Sequence, residues 1–180
     1  IAVIGNLFAH NMRRSPLIKG DVSALVANNL IYNPGKDIIH FSDPEDSGGS
    51  YATIVGNVLA PDLDTRRKPL VHMLFSSKKT CRVYTGDNMV TGSRAEGWPL
   101  EKIKRGCKVN EPPVWVEPLT VLPAEMGAQW VCCNAGARPI SRHKELERQL
   151  STEEVEVNRI FPVMGGLCAE RWLGDYWENM

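Results

Sequence analysis

One segment of this chain is written twice. Val3-Ile4-Gly5-Asn6-Leu7-Phe8-Ala9, followed by Arg13-Arg14-Ser15-Pro16-Leu17-Ile18, returns 51 residues later as Ile54-Val55-Gly56-Asn57-Val58-Leu59-Ala60. Arg66-Arg67-Lys68-Pro69-Leu70-Val71 then follows that second copy. The Gly, Asn, Ala, both Arg, the Pro and a Leu are identical, and the remaining apolar positions exchange conservatively. An apolar run closed by Gly-Asn reads as a β-strand bent or bulged at the glycine. Whatever the chain folds into, it uses this β element at least twice.

The rest of the chain reads as further short strands. Asp21 to Asn28 suits a strand or a short helix. Asn33-Pro34-Gly35-Lys36 is a strong turn between Leu30-Ile31-Tyr32 and Ile38 to Phe41, a pattern that predicts a hairpin. Asp43 to Ser50 is an acidic, glycine-rich loop. Pro69 to Phe75 and Cys81 to Thr85 are strand candidates. Pro99 to Arg105 predicts a short helix, with Pro in the first turn, Leu100 and Ile103 on one face and Gly106 to end it. Val109 to Pro123 is proline-rich and extended, and Gln129 to Cys133 is a short apolar run. Ser141 to Leu150 is helical in character, Val155 to Val163 alternates as a strand does, and Leu167 to Met180 reads as a docked amphipathic helix. Strands outnumber helices and no β-α-β alternation is sustained, so the expected class is all-β with short helices.

The bulk numbers exclude some functions. The 21 basic and 21 acidic residues cancel, which argues against a strongly cationic nucleic-acid binder, although a balanced chain can still carry a basic face. No apolar run approaches the roughly 18 residues of a membrane span, so no membrane partner is expected. The five cysteines include no C-x-x-C pair and read as reduced thiols in an intracellular compartment. His10, His40, His72 and His143 show no metal-ligand spacing with them, and no cofactor motif is present. Glu45-Asp46-Ser47-Gly48-Gly49 is similar to the nucleophile segment of chymotrypsin-like proteases. Too little chain precedes Ser47 to build that fold, and no acid–base constellation accompanies it. A non-enzymatic protein is the expectation.

In their order along the chain, several motifs resemble the single-stranded DNA-binding protein family, whose fold is the OB barrel. Ile4-Gly5-Asn6-Leu7 with Arg14, and Val55-Gly56-Asn57-Val58 with Pro61-Asp62-Leu63, are similar to that family's first strand. Arg82-Val83-Tyr84-Thr85-Gly86 resembles its third strand, Leu100 to Val109 its helix and fourth strand, and Thr152 to Gly166 its last. The resemblance implies an OB-fold domain over residues 51–166, a partial or first OB-like unit over 1–50, and an aromatic tail over 167–180. A second register closes a compact barrel within residues 1–76. It further implies a non-catalytic protein that holds single-stranded DNA or RNA, with a mitochondrial location and oligomeric assembly. The alternative is an assembly subunit of a larger ribonucleoprotein or replication complex, making protein contacts through strand edges and the C-terminal helix.

The candidate contacts follow from that implication. Arg13, Arg14, Arg66 and Arg67 would meet phosphate, with Lys78, Lys79, Arg82, Lys102, Lys104, Arg105 and Lys108 extending a basic track. Tyr84 and Trp115 would stack on bases. The family's other stacking positions hold Thr80 and Thr85 here.

Overall fold

The computed structural model describes residues 1–42, 48–73 and 81–134. Within them the chain winds as a solenoid, placing three short strands in each coil. The first coil holds β1 (Ala2–Ile4), β2 (Leu7–Ala9) and β3 (Leu17–Ile18), and the second β4 (Ser23–Ala27), β5 (Leu30–Tyr32) and β6 (Ile39–Phe41). The third holds β7 (Tyr51–Val55), β8 (Val58–Ala60) and β9 (Val71–Met73). The fourth holds β10 (Arg82–Gly86), β11 (Met89–Val90) and β12 (Glu101–Lys102). Corresponding strands pair in parallel from coil to coil, giving three sheets in the orders β1-β4-β7-β10, β2-β5-β8-β11 and β3-β6-β9-β12. This is a parallel β-helix.

Its first corner explains the repeated Gly-Asn. The residue that ends each strand of the first sheet must turn with positive φ: Gly5 at 65°, Asn28 at 49°, Gly56 at 63° and Asp87 at 47°. Glycine enters that region without steric cost, and Asn and Asp tolerate it better than other residues. The next residue is asparagine in all four coils, at 6, 29, 57 and 88. Each asparagine Oδ1 accepts from the one before it: Asn6 Nδ2 donates to Asn29 at 3.0 Å, Asn29 Nδ2 to Asn57 at 2.9 Å, and Asn57 Nδ2 to Asn88 at 3.0 Å. The backbone N–H groups of Asn6, Asn29 and Asn57 donate to the same three oxygens. A buried amide is thereby satisfied on both sides, as burial requires.

Inside the coil, Ala24 and Val26, Ile31, Ile39 and Phe41 pack against Ala52 and Ile54, Leu59, Val71 and Met73, with Val83, Trp98, Cys81 and Cys107 closing the fourth coil. Strand alternation therefore sends Leu25, Ala27 and Val55 outward from the first sheet, and Leu30, Tyr32, Val58 and Ala60 outward from the second. Both outward faces are covered by the chain after β12. Val114, Leu119 and Val121 of the extended strap lie on the first. Ala124, Ala128 and Val131 of α1 (Ala124–Asn134) lie on the second. Two polar clamps hold this cover. Asn28 Nδ2 donates to the Leu122 carbonyl at 2.8 Å while Leu122 N donates back to Asn28 Oδ1 at 3.0 Å. Asp87 Oδ2 accepts from Ala124 N at 2.9 Å and caps α1.

These findings overturn the OB barrel. An OB fold is an antiparallel Greek-key barrel, and every strand pair here is parallel. The short apolar-Gly-Asn motifs resemble OB strands only locally, and their recurrence marks stacked coils instead. The all-β class with a short helix stands. The hairpin expected over residues 30–41 is absent, because β5 and β6 belong to different sheets and each pairs with its own counterpart in the next coil. The helix expected over 99–105 is a strand and turn: Leu70 N and Val71 N donate to Pro99 and Leu100 carbonyls, placing Glu101–Lys102 beside β9. The apolar run after Gln129 lies in α1, while the predicted elements beyond residue 134 fall outside the described residues. Among the described residues no helix is long and apolar enough to cross a membrane.

Candidate functional site

The third sheet differs from the other two in what it turns outward. Its outer row reads Leu17, His40, His72 and Lys102, one residue per coil and in register. Beside it run the turns that carry the chain from the second sheet to the third, over residues 10–16, 33–38, 61–70 and 91–100. These turns vary in length, yet they stack. Arg13 bridges Lys36 in parallel, and Arg66 N donates to the Gly35 carbonyl at 2.8 Å.

The stacking brings cations together. Arg13, Arg14, Arg66 and Arg67, two pairs far apart in sequence, lie exposed on one ridge. The same turns add Lys36, Lys68 and Arg94, and the third sheet adds Lys102. The same elements carry fewer anions, Asp37, Asp62, Asp64, Glu96 and Glu101, and two of these are in ion pairs. Asp37 pairs with Arg13 at 3.1 Å, Asp62 accepts from the Tyr32 hydroxyl at 2.9 Å, Asp64 accepts from Asn33 Nδ2 at 2.9 Å, and Glu101 pairs with Lys108. A cationic ridge remains, although the chain as a whole is neutral.

Two arginines are held in defined positions. Arg67 lies over the Trp98 ring with its guanidinium carbon 5.7 Å from the ring centroid, and it donates to the carbonyls of Glu96 and Gly97. Arg14 has φ of 67°, an unusual conformation for a residue with a Cβ, and its backbone N–H donates to the Asp37 carbonyl at 2.8 Å. That hydrogen bond fixes the turn so that the Arg14 guanidinium acts on the third face; its charge, with that of Arg13, reaches His40.

His40 and His72 are buried, at 2% and 4% exposure. Burial lowers the pKa of both below the ordinary 6.5. At His40 the attraction of Asp37 opposes this shift, while His72, Arg14 and Arg13 reinforce it. At His72, Lys102 and Lys68 reinforce it and Asp37 opposes it. Both rings are therefore neutral near pH 7.

The other expected contact residues lie elsewhere. Arg82 is exposed at the start of β10 in the first sheet, and Trp115 is 40% exposed on the strap over that sheet. Tyr84 is half-buried against the strap's apolar residues. Lys104 and Arg105 occupy the turn leaving β12, and Lys108 pairs with Glu101. Lys78 and Lys79 lie outside the described residues. The sequence reading missed Lys36, Lys68, Arg94, Asp37 and the histidine pair. A signal for the last was present, since Ile38-Ile39-His40-Phe41 and Leu70-Val71-His72-Met73 share one pattern of two apolar residues, His and another apolar residue. No family model, curated protein or solved structure matches this chain.

Proposed function

We propose that the cationic ridge beside the third sheet binds a linear acidic glycan, a polyuronate, laid along the solenoid axis. The observation that carries this reading is the recurrence of cations coil after coil: exposed Arg13 and Arg14, then half-buried Lys36, then exposed Arg66 to Lys68, then exposed Arg94 and Lys102. Coils stack at the strand spacing of about 4.7–4.9 Å, close to the advance of one sugar in a 1,4-linked hexuronate chain. A polymer with one carboxylate per sugar therefore meets a periodic partner, and solenoids offer extended surfaces of this kind. Single-stranded DNA or RNA is the competing polyanion for the same cations. It draws much of its binding from stacking on aromatic rings. The exposed Tyr51, Trp115 and Trp130 belong to the first sheet, the strap and α1, so among the described residues no exposed Phe, Tyr or Trp lies on this face, which does carry the imidazole of His10.

Arg14 favours a second, catalytic reading of the same face. A left-handed conformation in a non-glycine residue costs roughly 1–2 kcal/mol, and such strain gathers at functional sites. A guanidinium paired with a uronate carboxylate acidifies the C–H of the adjacent carbon. Loss of that proton to hydroxide, with departure of the glycosidic oxygen on the next carbon, forms a C=C bond and two shorter chains. Water protonates the departing oxygen. This is a β-elimination.

The test is calorimetric titration of the full chain with an oligouronate, a neutral glycan of equal length and a single-stranded DNA oligomer. The reading requires binding of the uronate, none of the neutral glycan and weaker binding of the DNA. Tighter binding of the DNA would replace it with the nucleic-acid reading. Growth of the ultraviolet absorbance of an unsaturated uronate during incubation would establish elimination, and an unchanged spectrum would leave a binding module.

A further inference from the structure

The histidine row has a chemistry of its own. Ile39 and Phe41, and Val71 and Met73, point into the core, so His40 and His72 between them point out. Both are nonetheless shut away from solvent. Nδ1 and Nε2 of His40 and Nδ1 of His72 are buried and have no hydrogen-bond partner among the described residues. Native proteins seldom leave buried polar atoms unpaired, and three such atoms on two adjacent rings call for a ligand.

The rings stand on neighbouring strands in register, with centroids 6.3 Å apart and planes inclined by 32°. Two imidazoles on one ion, each bonded at about 2.0–2.1 Å, hold their centroids about 5–6 Å apart. Small side-chain rotations close that difference.

We propose that His40 and His72 are the two protein ligands of a divalent transition-metal site, its remaining positions filled by water or an anion that enters with the ion. Imidazole donors suit Zn²⁺, Cu²⁺ and Ni²⁺, whereas Ca²⁺ and Mg²⁺ demand oxygen ligands. Ligation needs neutral imidazoles. Lys68 and Lys102 repel a cation at His72, which selects an ion with a strong bond to nitrogen and favours an anion in its open positions. Arg13 opposes less, being tied to Asp37. Among the described residues no group of three or more His, Cys, Asp or Glu could hold a metal, so the site is a pair completed by water or an anion bound to the ion. Where the polyuronate reading holds, a glycan carboxylate is the anion that fits. The ion site itself stands apart from that reading.

The test uses the full chain, Zn²⁺ or Cu²⁺ alone and no glycan. Equilibrium dialysis should give one ion held at micromolar concentration, weakened about tenfold or more in H40Q and in H72Q and abolished in the double variant. Circular dichroism checks that the variants are folded. Addition of Co²⁺ to the wild-type chain should broaden the ring protons of His40 and His72 together in its NMR spectrum, a readout independent of any variant. Binding that survives in the folded double variant, or Co²⁺ broadening that spares these two rings, overturns the proposal.

Discussion

Asn29 donates twice to Asn57: its backbone N–H reaches Oδ1 at 3.1 Å and its side-chain Nδ2 reaches the same atom at 2.9 Å. Asn57 in turn donates to the carbonyls of Val26 and Val55 and to Asn88. One fully buried side chain thus joins three coils. Asn57→Ala removes it and leaves the backbone N–H of Asn29 and one of its two Nδ2 hydrogens unpaired, at an expected cost of about 3 kcal/mol. Urea denaturation should show a lower midpoint with an unchanged slope, and a midpoint equal to wild type would mean the ladder does not support the coil.

Gly56 and Gly92 test backbone geometry separately from space. Both have positive φ. A Cβ on Gly56 would lie 2.5 Å from Asn28 Nδ2 and 3.0 Å from the Leu122 carbonyl, the clamp that holds the strap, whereas one on Gly92 would meet nothing within 4 Å. Gly92→Ala should therefore cost only the conformational penalty of about 1 kcal/mol, and Gly56→Ala about 2–3 kcal/mol. Thermal melts of the two variants side by side measure the difference, and equal losses would contradict the close approach.

Acid should loosen the third sheet. His40 and His72 have folded-state pKa values below 6.5, chiefly from burial, so the unfolded chain takes up protons first as pH falls. Their contribution is fully present above about 6.5 and declines below it, until the folded-state values are passed. Stability measured from pH 8 down to pH 5 should fall in wild type and fall less in the H40Q/H72Q double variant. Parallel declines would assign the acid sensitivity to other groups.

Arg14 should separate stability from binding. Asparagine tolerates positive φ better than arginine, so Arg14→Asn should leave stability unchanged or raise it by up to about 1 kcal/mol. The same change removes a guanidinium from the ridge, and polyuronate affinity should drop about tenfold. Denaturation and binding measured on one sample suffice. Loss of stability would show that the Arg14 side chain serves the fold instead.

Half of the coil pattern was legible in the sequence, and the reason lies in the corners. Gly5-Asn6 and Gly56-Asn57 announce themselves, while Asn28-Asn29 and Asp87-Asn88 meet the same conformational demand with different residues. The ladder asparagines at 6, 29, 57 and 88 are also unevenly spaced, because both the turns into the third sheet and the segments leading from it to the next coil differ in length between coils. An irregular period hides a solenoid. Strand alternation is hidden as well. Ala24-Leu25-Val26-Ala27 is apolar on both faces because the strap covers the outer one, the pattern of buried parallel sheets. The paired arginines stood out in the sequence, but the neighbours that complete the ridge are set by stacking. Lys36 meets Arg13 across a gap of 23 residues, and no local pattern contains that contact.

The most direct test of the polyuronate face is calorimetric titration of wild type and an Arg14→Asn, Lys68→Ala double variant with an oligouronate at low and moderate salt. Wild-type binding that weakens as salt rises, together with lower affinity and a shallower salt dependence in the double variant, is the predicted result. No binding at low salt, or equal binding by the double variant, would contradict it.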